Sequence, residues 1–408
     1  MKIIEIIKER KKGGKLFAAN VTGNIFILTL NFALPFFISN NEYKYFVVVF
    51  SLFNSLCALY TFGYQGLITR ELTKKKNINS VISVFFFSWL FCSIILTLLL
   101  LGLNYFFNLT LYFEIDFTSW ILILLASSIL GVFRIFLYLL LSLEIFSSYN
   151  FFFISNKFLQ FFLITIFAFL SYDISNAILL SSLITFVMIG YFINKNYKIY
   201  YDRNIKSKIN SHVQNSWPLS INTFAGLGSG HGYNAIIAAS LSPIYTIILN
   251  YIFQLQNIGV LINNSLMDSK IKSYYSLFSS EKKNKILFFF KEVLYNAIIV
   301  FFIMFLPFVA LLFYANHLDI YISYYALIIF GLGIFINYLK PFGSNFLIFM
   351  NSLKSILFIS MFYNIINIGL FYKLIKVNLN NILIVQGLAF IVQIILLTYF
   401  GYYKFKKT

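Results

Sequence analysis

The sequence predicts an all-α polytopic membrane protein with about twelve transmembrane helices in two six-helix bundles. Three observations carry this expectation. The chain of 408 residues is 60% hydrophobic and only 11% charged, against roughly 25% charged in soluble domains. Its mean hydropathy is +0.83. Apolar runs of roughly 20 residues, long enough to cross a hydrocarbon core of ~30 Å, recur from end to end between short basic segments. A formal net charge of +18 would point to nucleic acid in a soluble chain, but distributed in this way it reads as a topology signal, and no nucleic-acid partner is expected.

The runs place helices near 17–39, 44–68, 78–103, 117–143, 149–170, 174–194, 217–238, 243–266, 286–313, 320–349, 353–371 and 379–403. The first exceeds the 7–15-residue core of a signal peptide and lacks a small-residue cleavage site, so it is expected to stay as an anchor. Residues 1–16, containing KIIEIIKERKKGGK, read as a cytoplasmic interfacial segment with Ile3, Ile4 and Ile7 on one face and basic residues toward membrane lipids.

Orientation follows from lysine and arginine, because positively charged loops stay cytoplasmic. The N-terminus, the loop RELTKKK, the connector 195–216, the connector DSKIKSYYSLFSSEKKNK and the tail 404–408 fall on one side, which holds about 25 of the 31 basic residues. The other side has Lys44, Lys373 and Lys376, with Glu42, Glu114, Asp116, Asp173 and Asp319 in its short loops. A multi-pass protein of the bacterial inner membrane with both termini cytoplasmic is the expectation.

The basic connector separates a bundle at 17–194 from a bundle at 217–403. FRIFLYLLLSLEIFSSYNFFFIS, starting at Phe133, lies over LKPFGSNFLIFMNSLKSILFISM, starting at Leu339, and the alignment sets Arg134 on Lys340. Halves with an even number of helices are parallel repeats, with a site expected at their interface.

Three ionisable residues stand out deep inside spans: Arg134, Lys157 and Lys340. All are cations with no carboxylate beside them in the same helix, and each sits ~12–14 Å from a helix end, beyond ordinary snorkelling. Facing lipid, three such charges would cost about 8–10 kcal/mol, so they are expected to line a wet cavity and attract anions, phosphate above all. The competing reading is a structural contact to backbone carbonyls.

Amides form stripes: Asn20, Asn24 and Asn31 in helix 1, and Asn250, Gln254, Asn257 and Asn264 in helix 8. They fit either interhelical hydrogen bonding or a path for sugars. Helix 7 carries AGLGSGHG, with Gly226, Gly228, Gly230 and Gly232 around His231. Its spacing matches no phosphate loop, which leaves close packing or a bending point, and His231 reads as structural before catalytic. Pro35, Pro341 and the glycines beside Lys340 mark further bending points, so Pro35, Gly228, Gly230 and Pro341 are candidate gating residues. Cys57 and Cys92 both lie in apolar runs, and no metal site, catalytic residue or cofactor is expected.

In its twelve spans, cytoplasmic termini and the helix 10–11 junction FLIFMNSLKSILF, with Asn351, Ser352 and Lys354, the chain resembles the Wzx-type polysaccharide (O-antigen) flippases. These belong to the multidrug/oligosaccharidyl-lipid/polysaccharide exporter superfamily. The resemblance implies two bundles forming a V-shaped transporter around a cationic cavity. It further implies a flippase moving an undecaprenyl-diphosphate-linked oligosaccharide to the outer leaflet, with a polymerase and a chain-length regulator as candidate pathway partners. On that reading Arg134, Lys157 and Lys340 hold the diphosphate, while Asn24, Asn31, Asn250, Gln254 and Asn257 contact sugar.

Two alternatives remain. An ion-coupled drug exporter of the same superfamily would favour cationic cargo and an intramembrane carboxylate. A membrane glycosyltransferase or polymerase would need sizeable external loops, whereas the longest here, around Glu114 and Asp116, has about 14 residues. A transporter, not an enzyme, is the expectation.

Overall fold

In the computed structural model of the chain, the described residues are 2–64, 68, 72, 78–199, 231–268, 283–340, 355, 357–365 and 379–407. They fold into helices α1 (Lys2–Ala33), α2 (Asn40–Leu59), α3 (Ile78–Phe107), α4 (Phe117–Ser142), α5 (Phe146–Phe169) and α6 (Ile174–Asn196). The second set comprises α7 (His231–Ser240), α8 (Pro243–Asp268), α9 (Lys283–His317), α10 (Tyr324–Asn337), α11 (357–365) and α12 (Leu379–Lys407). Among the described residues there is no strand, and 8 helical segments are long and apolar enough to cross a membrane. Expected and observed helices correspond in order along the chain.

Two boundaries differ from expectation for physical reasons. Residues 2–16 are helical and continuous with the first span: α1 runs unbroken from Lys2 to Ala33, and no proline removes a backbone donor before Pro35. At 1.5 Å per residue it is ~48 Å long, more than a hydrocarbon core requires. Pro35 then sits in the 3₁₀ turn Leu34–Phe36 that ends the helix. Helix 10, expected over 320–349, closes at Asn337 and turns at Tyr338 and Leu339 before Lys340. Pro341 itself lies outside the described residues, as do Gly228, Gly230, Asn351, Ser352 and Lys354.

The chain divides into two compact units, Ile25–Pro243 and a second made of Met1–Asn24 with Ile244–Thr408. The first junction falls within α1 and the second at the start of α8. Most of the connector 195–216 lies outside the described residues.

In the unit Ile25–Pro243, α2 is the central element. It is buried along most of its length and packs against α4 and α7. Gly131 of α4 meets Tyr60 so closely that a Cβ there would fall 2.5 Å from the Tyr60 Cβ. One turn earlier, the Ser127 hydroxyl donates to the Phe53 carbonyl at 3.2 Å. α6 covers the other sides of α4 and α5.

The N-terminal ends of α2, α4 and α6 are closed by acids. Ser39 and Glu42 form a capping box on α2, Asp116 caps α4 through the Ser119 N–H, and Asp173 caps α6 through the Ser175 N–H. Ser119 also donates to Asp173 at 2.7 Å, and Tyr45 of α2 reaches Asp173 at 3.2 Å. Glu114, in the left-handed conformation at φ 56°, accepts from Lys44 at 3.1 Å. Asp319 takes the same conformation where α9 ends.

In the other unit, α10 and α12 cross at two glycines. A Cβ on Gly333 would strike the Gly387 backbone, and a Cβ on Gly387 would fall 2.5 Å from the Ile329 carbonyl oxygen. Asn380 of α12 accepts from the N–H of Ser323, the N-cap of α10, at 2.8 Å.

Two measurements check this packing. Gly387→Ala should lower the thermal midpoint of the purified protein. Gly102→Ala, whose Cβ meets nothing within 4 Å, should leave it unchanged or raise stability by up to ~1 kcal/mol. Equal effects would contradict the helix crossing.

Asp116→Ala should cost about 1 kcal/mol, the usual worth of an N-cap. Partial burial opposes ionisation of Asp116, but hydrogen bonds from Ser119 outweigh it and hold the carboxyl below its usual range. A depressed carboxylate stabilises the fold above its unfolded pKa and loses that contribution as pH falls through the folded value. The difference between wild type and Asp116→Ala should therefore be full at pH 7 and shrink below about pH 4.

Candidate functional site

α4 points a row of residues at α2. Ser127 and Gly131 set the close approach, and Arg134, one turn further on, reaches Asn54: its Nη2 donates to Asn54 Oδ1 at 3.1 Å. Asn54 is 5% exposed. Its own Nδ2 donates to the Phe50 carbonyl at 2.9 Å, so the amide is fixed with its oxygen toward the guanidinium. This is the hydrogen bond Arg134 makes among the described residues, where the rest of its five guanidinium donors meet no acceptor.

Lys157 enters from α5. The buried face of that helix is Phe152, Asn156, Gln160 and Ile164, spaced four apart. Asn156 donates to Thr185 of α6 at 3.1 Å, which seats the face. Lys157 lies beside this face, half-buried, with no hydrogen bond or ion pair among the described residues. Its ammonium is within Coulombic reach of Arg134. One turn on, Gln160 is fully buried with both amide atoms unpartnered. His231, at the start of α7, is half-buried and feels the charges of both Arg134 and Lys157. Cys57, one turn from Asn54, is buried beside the same two cations.

Within one unit, then, Arg134, hydrogen-bonded to the neutral Asn54, lies within electrostatic reach of Lys157 and His231, with Cys57 also within reach of both cations. No ion pair to either cation is present among the described residues. Two basic groups that repel each other at partial burial raise the free energy of the empty site, and an anion between them lowers it.

The other predicted residues sit elsewhere. Lys340 belongs to the second unit, is exposed, and follows the turn at Tyr338 and Leu339. That turn is seated on α8: Asn263 Nδ2 donates to the Tyr338 carbonyl at 2.7 Å, and Gly259, one turn earlier, leaves room for the Tyr338 ring. The helix 1 amides turn back on their own helix, Asn24 to the Asn20 carbonyl and Asn31 to the Ile27 carbonyl, each at 2.7 Å. Gln254 donates to Asn250 at 3.3 Å, and both are buried. Asn257 is half-buried.

Two further ionisable residues, Lys291 and Glu292, fall inside a span that the sequence count passed over. They lie in the first turn of the apolar segment Phe289–His317, where a long side chain reaches the interface. Around Glu114 and Asp116, the acids are engaged at helix ends, and the described residues contain no group of three His, Cys, Asp or Glu able to hold a metal ion.

No protein-family model and no curated protein matches the sequence. Solved structures do match. One is an outward-facing multidrug resistance MATE family transporter of the MOP superfamily, at 14% identity and TM-score 0.68, with 98% of this chain and 96% of that chain covered. A MATE in complex with Br-NRF gives 14% identity, TM-score 0.65 and the same coverage. A MOP superfamily transporter from Pyrococcus furiosus gives 14% identity, TM-score 0.66 and the same coverage, and is described as having a binding pocket of reverse polarity that suggests a different function. The chain therefore has the fold of the MATE transporters of the MOP superfamily, with which about twelve membrane helices agree.

Lys157 offers a direct check on the site. A side chain placed for stability loses stability when its charge is removed, whereas an unpaired cation held for a ligand does not. Lys157→Met should leave the thermal midpoint unchanged or raised while abolishing transport, and a lowered midpoint would assign the lysine to the fold.

Proposed function

We propose that the chain is a transporter that moves an anionic substrate. On this reading it is a flippase for an undecaprenyl-diphosphate-linked oligosaccharide, passing it from the cytoplasmic to the outer leaflet of a bacterial inner membrane by alternating access. The observation that carries the proposal is the meeting of Arg134 and Lys157, with His231, without an acidic partner among the described residues. Arginine and lysine recognise phosphate oxygens, the first through its planar fork and the second as a point charge. Lys340, aligned with Arg134 by the sequence repeat, is the corresponding cation of the second unit. Asn24, Asn31, Asn250, Gln254 and Asn257 are the sugar contacts of this reading, and Pro35, Gly228, Gly230 and Pro341 its bending points. A pathway polymerase and chain-length regulator are its candidate partners.

The second reading is an ion-coupled drug exporter. It is favoured by the solved structures of this fold, of which one is a multidrug resistance transporter. The two readings differ in the sign of the cargo. A carrier of cationic drugs calls for a carboxylate deep in a span; Glu42, Glu114, Asp116 and Asp173 lie at helix ends, and Glu292 lies in the first turn of its apolar segment. The Pyrococcus furiosus transporter, described as having a binding pocket of reverse polarity that suggests a different function, is a neighbour of the same fold and leaves room for a cargo other than a cationic drug. Outward movement of negative charge gains about 2.3 kcal/mol per charge per 100 mV with the inside negative, so an anionic cargo needs no buried acid to drive it.

The deciding experiment locates the lipid-linked oligosaccharide in a deletion strain and its complemented partner, with an impermeant sugar-oxidising reagent on sealed cells. Accumulation of protected precursor only in the deletion supports the flippase. Arg134→Ala and Lys340→Ala should each reduce surface polysaccharide at least tenfold at normal protein level. Full complementation by both variants, or loss of drug resistance with normal precursor distribution, would overturn the reading.

A further inference from the structure

Arg134 is held by an amide where a carboxylate would be the stronger partner. Its Nη2 donates to Asn54 Oδ1 at 3.1 Å, and Asn54 Nδ2 is committed to the Phe50 carbonyl at 2.9 Å. Rotating the amide by half a turn would set donor against donor at Arg134 and acceptor against acceptor at the Phe50 carbonyl, so the oxygen faces the guanidinium by necessity. Asn54 is 5% exposed, and Cys57, on the same face of α2, is buried. Among the described residues Lys157 makes no hydrogen bond or ion pair, and its charge repels that of Arg134. The packing that brings Asn54 to Arg134 is tight, since Gly131 leaves no space for a Cβ against Tyr60 and Ser127 is bonded to Phe53.

A carboxylate in place of the amide would fit the same volume and give Arg134 a shorter, charge-assisted bond, stronger than the neutral bond to the Phe50 carbonyl that it would give up. It would also cancel the charge of the site. The amide supplies orientation without neutralisation, and that combination is useful where the guanidinium must meet a negative ligand.

We propose that Asn54 is a positioning residue that sets the charge selectivity of the N-terminal unit, holding Arg134 through a neutral acceptor so that its charge and its remaining donors stay available to an anionic ligand. The proposal rests on the anionic-cargo reading. It makes the sign of the cargo a property of one atom pair on α2: oxygen and nitrogen at Asn54 admit anions, whereas two oxygens would not.

The test uses the full-length protein in lipid nanodiscs with farnesyl diphosphate as the anionic probe and ethidium as the cationic one. Affinity and thermal midpoint are measured for wild type, Asn54→Asp and Asn54→Leu. Wild type should bind the diphosphate. Asn54→Asp should weaken that binding at least tenfold while keeping or raising the thermal midpoint, because the new ion pair replaces a neutral hydrogen bond. Asn54→Leu, which keeps the net charge but frees the guanidinium, should weaken binding by a smaller factor, roughly two- to fivefold.

A purely structural asparagine gives a different pattern, in which both variants lose stability and affinity together, and that result overturns the proposal. So does wild-type affinity in Asn54→Asp, which leaves the anionic-cargo reading standing. A wild type that binds ethidium and not the diphosphate overturns both.

Discussion

The hydrocarbon core offers no hydrogen-bond partner to a helix end, so every turn at its boundary must satisfy its own backbone donors and acceptors. This chain meets that demand with acids at its helix ends. Glu42 closes a capping box, Asp116 and Asp173 accept the first N–H groups of α4 and α6, and Glu114 and Asp319 adopt the left-handed conformation at chain reversals. Tyr45 and Ser119 then join the caps of two helices to α2. Carboxylates engaged in this way are not opposite the interior cations. The same constraint that fixes the helix ends thus leaves Arg134 and Lys157 without acidic partners among the described residues.

Much of this was legible in the sequence because charge inside an apolar run is conspicuous. Arg134, Lys157 and Lys340 declare themselves, and the runs that contain them place the helices in order. Asn54 was not legible. In FSLFNSLCAL it is one small polar residue among several, and its importance comes from the α2–α4 crossing, which depends on Gly131 lying against Tyr60. Gln160 is similar: its full burial follows from the packing of α5 on α6, with Asn156 and Thr185 as the anchor. The amide stripe of helix 1 shows the converse. Its four-residue spacing reads equally as a lining and as a side chain bonding back one turn, and Asn24 and Asn31 both take the second course with their nitrogens.

Boundaries were least legible where local chemistry gives mixed signals. The charged start KIIEIIKERKKGGK differs in composition from the span that follows, yet composition does not break a helix. A missing backbone donor does, and none occurs before Pro35. The break before Lys340 was readable for the same reason, with a proline at the next position. Its location at Tyr338 and Leu339 depends on α8, where Asn263 takes the Tyr338 carbonyl that the helix no longer uses.

The unneutralised site has a consequence for transport itself. On the proposed anionic-cargo reading, repulsion between Arg134 and Lys157 raises the energy of the empty protein, and the anion is bound partly by relieving it. A carboxylate on α2 would remove that repulsion and with it the advantage of the bound state. A neutral amide at Asn54 keeps the guanidinium in place and the repulsion intact, so that occupancy, and not the resting fold, decides which arrangement of the site is lower in energy. For a carrier this is the required bias, since a ligand shifts an equilibrium between two conformations only by as much as its affinity differs between them.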